Sequence, residues 1–113
     1  MAVKRSLSTD PLAFIKKCVK EAHVFWTYHV NMRIKDRSIS RRIILESVSD
    51  YEIIEEYPED KYLPSYLVYS QYQNTVFHIL FATDVEGNNV RVITAYYPDS
   101  EQWNEDLRTR RKL

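Results

Sequence analysis

The chain has 113 residues, enough for one domain with a single ordinary core and too few for two. The 16 basic side chains balance the 16 acidic ones, which excludes a uniformly cationic nucleic-acid coat, and one cysteine, Cys18, excludes an intrachain disulfide and a cysteine-rich zinc site. The charges are still unevenly placed: Lys35, Arg37, Arg41 and Arg42 cluster, residues 50–60 are acidic, and Arg108 to Lys112 form a basic tail, so a local anion site is compatible with overall neutrality.

Residues 1–10 read as a flexible N-terminus. Lys4 and Arg5 have no long apolar run behind them, so no signal peptide is expected, and no segment nears the roughly 20 apolar residues of a spanning helix. The expected setting is cytoplasmic, away from membranes. Asp10 before Pro11 is an N-cap followed by proline at the first helical position, and Leu12, Ile15, Val19 and Ala22 recur at helical spacing, which predicts an accessory helix over 11–23, within 11–25. Thr27 would cap a second helix over 27–37. Ser40 would cap a third over 40–48, with Ile39, Ile43, Ile44 and Val48 turned inward.

Beyond Ser49 the residues become β-branched and aromatic, and four strands are predicted at 51–57, 65–72, 75–83 and 90–97. Gln73-Asn74 is a two-residue link, and the next turn holds the sole glycine, Gly87, so the last three strands should form an antiparallel meander. Pro98-Asp99 would start a short C-terminal helix over 100–108, burying Trp103 and Leu107. The expected fold is one α+β domain over 1–113, with N-terminal helices packed on one face of an antiparallel sheet of about four strands. In the third strand Val76, His78, Leu80 and Ala82 alternate with Phe77, Ile79 and Phe81; both faces are apolar, which places this strand and the next inside the sheet and leaves His78 in need of a partner.

The chemistry in the pattern is that of phosphate. On a helix His29 and Arg33 share a face, with Arg37 near that line: a histidine exchanges a proton near neutral pH, and a guanidinium grips a phosphate through two parallel hydrogen bonds. Metal-free cleavage of RNA needs a base for the 2′-hydroxyl, an acid for the leaving 5′-oxygen and fixed positive charge, which makes His29 and His78 the candidate catalytic pair and Arg33 and Arg37 the candidate substrate-binding groups, although arginines at helical spacing more often form a solvated surface with their apolar stems along the core. The plainer alternative for His78 is a core histidine bonded to a backbone carbonyl or carboxylate. Tyr66 and Tyr96 are candidate base-stacking residues, although tyrosines in strands usually serve as half-buried rings. No metal-ligand spacing, glycine-rich phosphate loop or nucleophile elbow occurs, so no metal and no cofactor is expected.

These residues also carry a family resemblance. Thr27-Tyr28-His29 with Arg33 and Arg37, Ile39-Ser40, the run from Glu55 through Tyr57-Pro58 to Lys61, Pro64-Ser65-Tyr66-Leu67-Val68, the His78 strand, and Val92-Ile93-Thr94-Ala95-Tyr96-Tyr97-Pro98-Asp99 followed by Trp103 follow one another as in domain of unknown function 4258. The chain resembles that family over about residues 26–111. It departs from the family's pattern at Ser38, where glycine is usual, and at Thr75-Val76-Phe77, where arginine-proline-leucine is usual. The family is similar to small toxins of the RelE, BrnT and MqsR type. The resemblance therefore implies a RelE-like fold, an mRNA-interferase type of endoribonuclease activity, RNA as substrate and a cognate antitoxin, of the small zinc-finger kind among others, as partner. The rival expectation is a non-catalytic module that binds protein or RNA; the oligomeric state is left open.

Overall fold

The computed structural model describes residues 7–27, 30 and 39–112. The expected second helix lies outside the described residues except at Thr27 and Val30, where Thr27 Oγ1 accepts the Val30 N–H at 3.1 Å as the N-cap reading requires.

The first helix, α1 (Pro11–Lys20), starts as its sequence dictates: Asp10 Oδ1 accepts the Ala13 N–H at 3.1 Å, and Pro11 occupies a position whose missing N–H costs nothing. It buries Ile15, Cys18 and Val19. It stops short of residue 23 because Ala22 turns left-handed (φ 62°), letting the His23 N–H reach Cys18 O at 2.8 Å and the Ala22 N–H reach Val19 O at 3.2 Å. This paired closure satisfies the last carbonyls and reverses the chain. It delivers β1 (Val24–Trp26), a strand of three residues too short to show any period in the sequence, parallel to the last strand.

The next helix given in full by the described residues, α2 (Arg41–Glu46), is the third expected from the sequence; it is capped by Ser40 Oγ on the Ile43 N–H and runs into a 3-10 turn, Val48–Asp50. The strands β2 (Glu52–Tyr57), β3 (Ser65–Tyr72), β4 (Thr75–Asp84) and β5 (Asn89–Tyr96) follow. They form the expected meander within a sheet of five strands, not four, in the order β1-β5-β4-β3-β2; β4 and β5 are interior, as their two apolar faces demand. Gln73 and Asn74 both take positive φ (50° and 65°), the conformation of a two-residue hairpin whose twist matches the strands. In the other hairpin the left-handed residue is Asn88, not Gly87; a Cβ at Gly87 would lie 2.4 Å from the Asp84 carboxylate that accepts its N–H.

One sheet face carries the core. Tyr66, Val68, Phe77, Ile79, Phe81, Val90, Val92 and Ala95 pack with Ile15, Cys18, Val19, Val30, Ile39, Ile44 and Tyr51. The opposite face, with Leu67, Tyr69, His78, Leu80, Thr94 and Tyr96, meets the C-terminal segment, which is not the expected helix. Leu107 is left-handed (φ 56°), Asp99 and Asp106 accept nearby backbone N–H groups, and Trp103 pairs in a bridge with Arg110. Short carboxylates of this kind give the backbone an alternative to helical bonding, and the segment becomes a looped strap.

Candidate functional site

His78 is fully buried beneath that strap. Its Nε2–H donates to Leu107 O at 2.7 Å, which leaves Nδ1 to accept the Tyr96 hydroxyl at 3.2 Å. The Trp103 ring stands edge-on to the imidazole at 4.5 Å between centroids, and Tyr96 does so at 5.3 Å. Burial pushes the His78 pKa below its ordinary value; the Leu107 carbonyl and the charge of Glu55 oppose the shift without reversing it. The ring is a neutral Nε2–H tautomer. It fixes the strap on one side and aims the Tyr96 hydroxyl on the other.

The basic tail turns back on the acidic strand β2. Arg108 Nε meets Glu52 at 2.9 Å while its guanidinium lies 4.0 Å from the Tyr69 ring centre, and Arg110 binds Glu55 through two nitrogens, at 2.7 and 3.2 Å, while lying 4.5 Å from the Trp103 ring centre. Glu55 also accepts the Tyr57 hydroxyl. Burial raises the Glu55 pKa, but the bonds from Arg110 and Tyr57 together outweigh burial and hold it below the ordinary carboxylate range. Glu52 and Glu55 fall on the same face because a bulge between Ile53 and Glu55 resets the register.

Next to the strap the sheet face stays open as a groove of about 290 Å³, lined by Tyr57, Asp60, Ser65, Leu67, Leu80, Thr94, Tyr96 and Arg110. The floor is Leu67 paired with Leu80 and Leu80 with Thr94 across three strands. Asp60 accepts the Ser65 hydroxyl at 2.6 Å from a loop that Pro58 and Pro64 bracket. Chemically the groove offers an apolar floor, a ring of hydroxyls, one exposed carboxylate and one guanidinium already chelated by a glutamate.

Of the residues singled out in the sequence, His78 and Tyr96 are brought into direct contact. Tyr66 sits on the other face, buried against the core and paired across strands with Phe81, where its ring packs. His29, Arg33 and Arg37 lie outside the described residues. Among the described residues no group of His, Cys, Asp and Glu could hold a metal ion, and no helix is long and apolar enough to cross a membrane. The sequence reading missed Asp60, Ser65, Glu55 and Arg110. The signal available was the acidic run against the basic tail, opposite charges that meet 55 residues apart.

The fold and groove define the protein as a small α+β domain whose five-stranded, mostly antiparallel sheet is covered by helices on one face and by a polar strap on the other. A family model described as Domain of unknown function (DUF4258) matches residues 26–97, and the chain belongs to that family. No curated protein and no solved structure matches the chain. The matched segment runs from the end of β1 to just past β5. It contains the groove except for Arg110, and leaves α1 and the strap outside.

Proposed function

We propose that this protein is the toxin of a type II toxin–antitoxin pair, with a RelE-like fold, acting as a metal-independent RNA endonuclease. His29 is the acid or base, and Arg33 and Arg37 hold the phosphate. The observation that carries the reading is the start of that segment: the Thr27 hydroxyl accepts the Val30 N–H directly after β1, and Val30 is fully buried in the core, which supports a helix start at the threonine on which the family resemblance begins. His78, closed off from solvent with both nitrogens bonded, acts in this reading as a scaffold group that holds the C-terminal strap at Leu107 and the Tyr96 side chain in place. RNA is the substrate, and a cognate antitoxin is the partner that holds the activity in check.

The test is cleavage of RNA, with and without ribosomes, by wild type and by His29→Gln. Wild type should cut in the presence of a chelator and leave 2′,3′-cyclic phosphate ends, and the variant should lose about 10²–10⁴-fold in rate while keeping its fold. Full activity in folded His29→Gln would overturn the mechanism. The closed environment of His78 favours a second reading, a module that binds without cutting; absence of cleavage by wild type in both assays, with RNA or a partner still bound, would establish it.

A further inference from the structure

The hydroxyls around the open groove are committed as donors to the protein's own acceptors where their partner is visible. Ser65 Oγ–H points to Asp60 Oδ2 at 2.6 Å, the Tyr57 hydroxyl to Glu55, and the Tyr96 hydroxyl to His78 Nδ1, a direction imposed by the bond from His78 Nε2–H to Leu107. The guanidinium of Arg110, the one cation in the lining, is held by both oxygens of Glu55, so the pair cancels. The exposed carboxylate of Asp60 therefore sets the sign of the cavity. A phosphate or carboxylate placed here would face acceptors and a net negative charge. A cation rich in donors meets the opposite condition, and the Leu67–Leu80 floor suits an aliphatic stem leading to it.

We propose that this groove receives an arginine or lysine side chain of a protein partner, with the charged head at Asp60 and the stem along Leu67 and Leu80. The assignment goes beyond the RNA reading and does not depend on cleavage. It makes the open face of the sheet a protein-binding surface, selective for a basic segment by charge and by the direction of its hydroxyl protons.

The full-length protein labelled with ¹⁵N, titrated with acetyl-Ala-Arg-Ala-amide and its lysine counterpart, should show saturating amide shifts at Ser65, Leu67, Leu80 and Thr94. The norleucine counterpart, which keeps a stem and lacks the charge, should give no saturation. Asp60→Asn retains an acceptor for Ser65 and lies at an exposed position, so it should melt like wild type and bind the arginine peptide about tenfold or more weakly. Equal binding of the norleucine peptide, undiminished binding by Asp60→Asn, or no shifts with either cationic peptide would overturn the assignment. The same amides shifting with a short oligouridylate would also overturn it, by showing that the groove takes an anion.

Discussion

The two faces of the sheet are closed by different physics. On the helix side Phe77, Ile79, Phe81, Val68 and Val92 are sealed by the apolar residues of α1 and α2, and the attraction is the removal of hydrocarbon from water, which no titrating group modulates. On the strap side Trp103 covers a neutral histidine, and Arg108 and Arg110 fasten the loop to Glu52 and Glu55. Such a cover draws part of its stability from specific charges and one tautomer. One face is therefore a fixed scaffold and the other a cover sensitive to conditions, set directly beside the groove.

The largest expected effect breaks the scaffold. Phe81→Ala, at a fully buried ring packed on Tyr51 at 5.5 Å between centroids, should cost about 3–5 kcal/mol in chemical denaturation, by an amount that does not change between pH 5 and 8. A loss below about 1 kcal/mol would mean that this face is not the core.

A smaller, pH-dependent effect sharpens the strap side. The folded pKa of His78 lies below its unfolded value, so above about pH 6.5 both states are neutral there and the bonds of the ring contribute in full; as pH falls through that value the unfolded chain takes up a proton that the folded one resists, and stability drops at up to about 1.4 kcal/mol per pH unit. His78→Phe should be less stable at pH 8 and should lack the part of the slope between pH 7 and 5 that His78 supplies. If the variant and wild type run parallel over that range, folding does not lower the pKa of the histidine.

The smallest effect concerns the clamp. Arg108→Gln removes an exposed ion pair and the stacking on Tyr69, together about 1 kcal/mol at low salt. The difference from wild type should shrink in 1 M sodium chloride but not vanish, since the ring contact is less screened than the ion pair. A difference that grows with salt would contradict the clamp.

Local signals in the sequence determined the elements whose causes are local. Asp10-Pro11 and Ser40 start helices because their side chains satisfy backbone donors within three residues, the Gln73-Asn74 link closes a hairpin because two left-handed residues match the strand twist, and the alternation around His78 located an interior strand that had to give that histidine a partner. Tertiary structure alone decided what depends on distant segments. The three residues of β1 are held by parallel pairing to β5, the C-terminal run becomes a strap because Trp103 and two arginines find a histidine and two glutamates on the sheet, and the partner of His78 is a carbonyl 29 residues away. No period or motif carries such contacts, because their energy belongs to pairs that meet only once the chain is folded, and the groove bounded by Asp60, Tyr96 and Arg110 exists only where those pairs have closed.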